Sequence, residues 1–166
     1  MPDTASPVTV TLGFLSLTQD AGGVSGGYLL TNAWGRPLEF RLSSSVQPTK
    51  VQQILYGPTL ADYLQCELIG KTLVEKSSAV PALIITDSVV GLGLATRVNV
   101  PVVAIGESGM THDRSSRPLS VAGDPDVVRQ ILDLIDPVVD LAEPFVRIRE
   151  AAAEARKLGG ASRAAA

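Results

Sequence analysis

Cysteine, histidine and tryptophan occur once each among 166 residues, and phenylalanine and tyrosine three times each. A lone cysteine, Cys66, cannot close an intrachain disulfide, which points to a reducing compartment. One histidine and one cysteine cannot assemble a His/Cys zinc site within a single chain, and no carboxylate motif replaces it, so the expectation is no metal and no cofactor. No apolar run approaches the ~18–20 residues of a membrane-spanning helix, and the opening MPDTASPVTV has neither a basic nor an apolar targeting region. Together these lacks predict a soluble cytoplasmic protein without a membrane partner.

An excess of positive charge is missing too. Fourteen Lys and Arg face seventeen Asp and Glu, giving a formal net charge of −3. The basic residues are scattered apart from a group in the last predicted helix, and a nucleic-acid footprint ordinarily needs them clustered, so the expectation is no nucleic acid.

What the chain does have is aliphatic side chains. Its 45% hydrophobic content is mostly Val, Leu, Ile and Ala, and β-branched runs favour a sheet. At this length a domain can bury roughly two-thirds of the surface its unfolded chain exposes. Residues 1–7 read as a flexible leader, 8–143 as a single α/β domain, 144–160 as a C-terminal helix and 161–166 as a disordered tail.

Within the domain, VTVTLGFLSL (8–17) alternates as a half-buried strand, with a bulge expected near Gly13. The four glycines of TQDAGGVSGG (18–27) predict a turn or mobile loop. YLLTNA, WGRP and LEFRLS form a hairpin, with Leu38, Phe40 and Leu42 on one face and Glu39 and Arg41 on the exposed other. Val51, Ile54 and Leu55 follow helical spacing up to Gly57–Pro58, and the next helix carries two apolar stripes, as if packed on two sides. VPALIITDS and VNVPVVAIGES are continuous apolar runs, the pattern of parallel strands buried on both faces. Residues 107–123 show no period and predict a long loop. Asp124, Pro125 and Asp126 then open a helix with a Val127, Val128, Ile131, Leu132, Ile135 face. Beyond Pro144 the pattern is helical to the double glycine at 159–160. The fold class is therefore α/β: a three-layer-like domain with a mixed sheet, N-terminal antiparallel strands plus two parallel buried strands, and C-terminal helices.

Strand, hairpin, two helices, strand, short helix and strand, over residues 24–106, is an order similar to that of the cytidine-deaminase-like fold. That family's zinc motifs, H-x-E and P-C-x-x-C, are missing, and the resemblance in order implies no activity.

PALIITDSVVGLGLAT (81–96) leads from a strand into Gly91, Gly93 and Thr96. A dinucleotide fingerprint requires G-x-G-x-x-G directly after the strand and an acidic residue about twenty positions on; here the spacing ends in Thr and starts late. Asp87 or Ser88 is expected to cap a short helix, with Gly91 and Gly93 letting it lie close to the sheet. Asp87 nevertheless stands at the carboxyl end of a parallel strand, where open α/β sheets place ligands. Cys66 lies mid-helix among leucines and is expected to be buried and inert. His112, Arg114 and Arg117 gather anion-binding groups in the 107–123 loop.

Trp34 and Arg36, at the hairpin turn, are residue types enriched in contact hot spots. Phe145, Ile148 and Ala152 make a stripe on the last helix available for pairing. The preferred function is a non-catalytic binding or assembly domain whose partner is itself or another protein. The alternative is an anionic small-ligand binder or enzyme built on Asp87, Ser88 and the loop. No enzyme motif is present.

Overall fold

A computed structural model describes residues 9–105, 119–136 and 138–164. Six strands form one mixed sheet in the order β3-β2-β1-β4-β5-β6. They are β1 (Thr11–Asp20), β2 (Gly23–Asn32), β3 (Pro37–Leu42), β4 (Leu83–Thr86), β5 (Val102–Ile105) and β6 (Leu119–Ala122). β1–β2, β2–β3 and β5–β6 pair antiparallel, while β1–β4 and β4–β5 pair parallel, as the two apolar runs predicted. Helices cover both faces, and the α/β class stands.

The first two strands are longer than their sequence pattern. β1 runs to Asp20 and β2 restarts at Gly23, so residues 18–27 belong to a hairpin with a two-residue turn, not to an open loop. The Asp20 carboxylate accepts the Gly22 N–H at 2.8 Å, and Gly23 takes φ +117°, which an L side chain would resist. Nor does β1 bulge at Gly13. A Cβ there would lie 2.5 Å from Oη of Tyr28, so the glycine makes room for a ring inside a regular strand. The register shift sits between Leu30 and Thr31, opposite β3. On β3 the expected exposure is reversed: Leu38 is 53% exposed, while Glu39 is partly sheltered by Ser78, whose N–H and hydroxyl both donate to it at 2.7 Å.

After β3 comes α1 (Lys50–Tyr56), started by a capping box in which Thr49 Oγ1 accepts from Gln52 N–H and the Gln52 side chain accepts from Thr49 N–H. The next helical run passes through α2 (Leu60–Asp62), a π-helical segment (Tyr63–Gly70) and α3 (Lys71–Glu75). The wider π turn accounts for the two apolar stripes: Leu64, Ile69 and Leu73 pack on the sheet, while Cys66 meets the Val90 carbonyl of the segment after β4. A 3₁₀ segment (Val89–Leu94) and α4 (Ala95–Val98) connect β4 to β5.

The expected long loop is shorter than its sequence pattern, because β6 lies inside 107–123 and pairs with β5. α5 (Pro125–Asp133) starts at the predicted cap, with Asp124 accepting from Asp126 N–H at 2.9 Å. α6 (Glu143–Ala164) takes Pro144 in its first turn and continues through Gly159 and Gly160 instead of stopping there.

Side chains alternate cleanly across the sheet. Leu12, Phe14, Leu29, Leu83 and Ile85 pack with α5 and α6. Leu15, Tyr28, Leu30, Ile84 and Val102 pack with the π-helical side. Neighbouring glycines in β2 let both layers close. A Cβ on Gly26 would lie 2.6 Å from Cγ2 of Ile69 on one face, and a Cβ on Gly27 would lie 2.5 Å from Cγ2 of Ile148 on the other.

Candidate functional site

The parallel register that pairs Leu15 with Thr86 brings the next residues of β1 and β4, Ser16 and Asp87, side by side. Along β1, Leu12, Phe14 and Ser16 share one face, so the hydroxyl occupies a position the alternation reserves for the core, and Ser16 is 2% exposed. Its Oγ donates to Oδ2 of Asp87 at 2.7 Å, and Leu17 N–H donates to Oδ1 at 3.3 Å. Arg149, one turn into the packed part of α6, places Nη1 3.5 Å from the same Oδ2. Burial pushes the Asp87 carboxyl above the usual carboxylate range, and it outweighs the opposing pull of Ser16, Leu17 and Arg149.

Two turns further along α6, Arg156 donates from Nη2 to Oγ of Ser25 at 3.0 Å. Ser25 is 4% exposed on β2, across from Thr18 of β1. Asp87, Ser16 and Ser25 thus form a polar strip at one end of the sheet, and α6 lays two arginines along it. A carboxylate with a raised pKa can exchange a proton, and guanidiniums beside it can hold phosphate.

Other expected contributors divide in three. Ser88 is close by but turned away, donating to Oε1 of Gln65 at 3.4 Å. Neither it nor Asp87 caps the 3₁₀ segment through its side chain, a correction to the capping expectation: Asp87 is engaged by β1 instead. Gly91 does lie close to the sheet, where a Cβ would be 2.7 Å from Oγ1 of Thr86, whereas Gly93 faces Asp62 and Cys66. His112, Arg114 and Arg117 lie outside the described residues. Cys66 is buried, donates from Sγ to the Val90 carbonyl at 2.9 Å, and has its thiol pushed up to about 11 by burial.

Phe145 and Ile148 are not an exposed stripe. They are 3% and 2% exposed in the core, and the Phe145 ring meets Phe14 edge-on at 5.8 Å, because α6 closes one face of the sheet. Ala152 is half-buried on the same helix. Trp34 is 71% exposed on a turn held by Asn32, whose Oδ1 accepts from the backbone N–H of both Trp34 and Arg36. The same turn is met by α6, where Arg147 Nη1 donates to the Gly35 carbonyl at 2.9 Å.

Among solved structures, endonuclease V of Bacillus subtilis superposes with a TM-score of 0.54 at 14% identity, covering 90% of this chain and 82% of that one. The chain has the fold of endonuclease V. The Ciona intestinalis endonuclease V bound to a DNA containing inosine is a more distant match, with a TM-score of 0.40 at 8% identity, covering 80% of this chain and 58% of that one. No family model matches the sequence, and no curated protein does.

The endonuclease V fold overturns two expectations: a non-catalytic protein-assembly role with itself or another protein as partner, and the exclusion of nucleic acid. The exclusion failed because net charge is a sum over the whole chain. The group of basic residues in the last helix was visible, but not that two of them, Arg149 and Arg156, stand over one polar strip. Among the described residues no helix is long and apolar enough to cross a membrane.

Proposed function

We propose that the protein acts on nucleic acid at the end of the sheet where β1 and β4 bring Ser16 and Asp87 together. In this reading Asp87 is the acid–base residue, Arg149 and Arg156 take backbone phosphates, and Ser16 holds the carboxylate in place. The observation that supports it most is the Asp87 carboxyl itself, desolvated enough to sit above its usual range and flanked by a guanidinium. The shared fold with a bacterial endonuclease adds to it.

The chemistry follows from the arrangement. A phosphodiester oxygen approaching Arg149 competes with Asp87 for the guanidinium and so releases the carboxylate. Free of its cation, Asp87 can accept a proton from a water or hydroxyl attacking phosphorus, while the arginines neutralise the charge that builds on the phosphoryl oxygens. Among the described residues no three His, Cys, Asp or Glu side chains stand together at metal-ligating spacing. The reading rests on Asp87, Ser16 and the two arginines. A cytoplasmic location, proposed from the single cysteine, is compatible with such a substrate.

Fluorescence anisotropy with labelled single-stranded and duplex DNA and RNA, over a range of salt, tests the binding step. Affinity should fall with salt, and Arg149→Ala or Arg156→Ala should each lower the log–log slope by about one phosphate contact. Cleavage of the same oligonucleotides should be lost in Asp87→Asn while binding persists. Salt-independent or absent binding to all four probes would sink the proposal.

A further inference from the structure

A second concavity lies on the opposite face of the sheet, between the end of β3 and the helical run through α3. Its volume is about 380 Å³, toward the lower end of the ~300–1,000 Å³ range of small-molecule sites. The floor is aliphatic: Val46, Leu68, Ile69 and Leu73. Leu68 remains 40% exposed there, apolar surface left open to water.

The rim is cationic. Arg41 and Lys76 line it from opposite walls, with the hydroxyls of Thr72 and Ser44 between, and no carboxylate lines it. Arg41 is fixed in advance. Its Nε donates to Oε1 of Glu39 at 2.6 Å, and Oε2 of Glu39 is held by the N–H and hydroxyl of Ser78, just past α3. This Glu39–Ser78 link ties the two walls together, and a guanidinium anchored through Nε keeps its Nη edge for another anion. Lys76, by contrast, forms no ion pair among the described residues; its neighbour Lys71 is the one paired with Glu75, at 3.8 Å.

An aliphatic floor beneath two cations and two hydroxyls matches one ligand class. We infer that this pocket binds a single-chain amphipathic anion, with its hydrocarbon body against Val46, Leu68 and Leu73 and its carboxylate or phosphate head between Arg41 and Lys76. The inference is independent of the proposed action on nucleic acid, since the pocket and the Asp87 strip occupy different faces and share no residue.

Isothermal titration calorimetry of the full chain with octanoate, octyl phosphate, octanol and inorganic phosphate, all below micellar concentration, tests it. Octanoate or octyl phosphate should bind saturably, and the two arms separate a carboxylate head from a phosphate head. Octanol and inorganic phosphate should bind at least about tenfold more weakly, because each offers only half of the match. Lys76→Ala combined with Arg41→Ala should weaken the amphipathic anions by about tenfold or more. Leu68→Asp, at a half-exposed position, should abolish binding while circular dichroism shows the fold intact. Octanol binding as well as octanoate, no saturable binding of either anion, or indifference to these variants would each overturn the inference.

Discussion

Ser16 on β1 donates its hydroxyl to the Asp87 carboxylate over 2.7 Å, joining residues 71 positions apart at the end of two parallel strands. The bond holds the ionised carboxylate, whereas the desolvation around it favours the neutral acid. The balance between them makes several outcomes measurable.

Asp87→Asn separates stability from activity. With its folded pKa above the unfolded value, Asp87 holds its proton more tightly in the folded protein. Its contribution is therefore most favourable below the unfolded carboxylate range and is lost as pH rises through the folded value. At pH 7 the variant should melt at or above the wild-type temperature, and the gap should close as pH falls toward about 4. Differential scanning calorimetry at both pH values reads this directly. A clear destabilisation at pH 7 would show that pairing with Arg149, not burial, controls the carboxylate.

Ser16→Ala removes the closest donor to that carboxylate, so the Asp87 pKa should move further up. Carboxyl-carbon NMR titration of the two proteins measures it. In a cleavage assay the acid limb of the pH profile should shift in the same direction, and Ser16→Thr should restore both. A titration curve that does not move would assign Ser16 a packing role alone.

Gly27→Ala and Gly159→Ala should have opposite signs. The added methyl at Gly27 runs into Ile148, and overpacking of this kind costs about 1–3 kcal/mol. At Gly159 nothing lies within 4 Å, and alanine inside a helix gains about 0.5–1 kcal/mol over glycine. Urea unfolding followed by circular dichroism distinguishes the two.

Phe145→Ala should cost about 3–5 kcal/mol, since the ring is buried against Phe14. A chain ended after Glu143 should lose the cooperative thermal transition altogether. Survival of a sharp transition in the truncated chain would mean that α6 is an accessory to the core.

The middle of the sheet was legible in the sequence because its signal is local: β4 and β5 are unbroken apolar runs, and Asp124–Pro125 announces α5, whereas β6 lay hidden in a stretch without period. Glycine was the main source of error. In 18–27 it reads as flexibility, yet Gly26 and Gly27 are strand residues chosen for the close approach of Ile69 and Ile148, a contact no local pattern reveals. Asp87 could be singled out from its place at a strand end. Its cationic partner could not, because Arg149, like the Arg156 that meets Ser25, arrives from an element whose packing depends on the whole fold. Ser16 did leave a trace, as a polar residue continuing the Leu12, Phe14 face.

The helix that covers Phe14 and supplies Arg149 comes after every strand of the sheet. During synthesis the first strands leave the ribosome long before this lid, and the face that α5 and α6 share stays only partly covered until α6 emerges. Completion of the core and assembly of the Asp87–Arg149 pair therefore coincide, so Asp87 gains its cation only when α6 has docked.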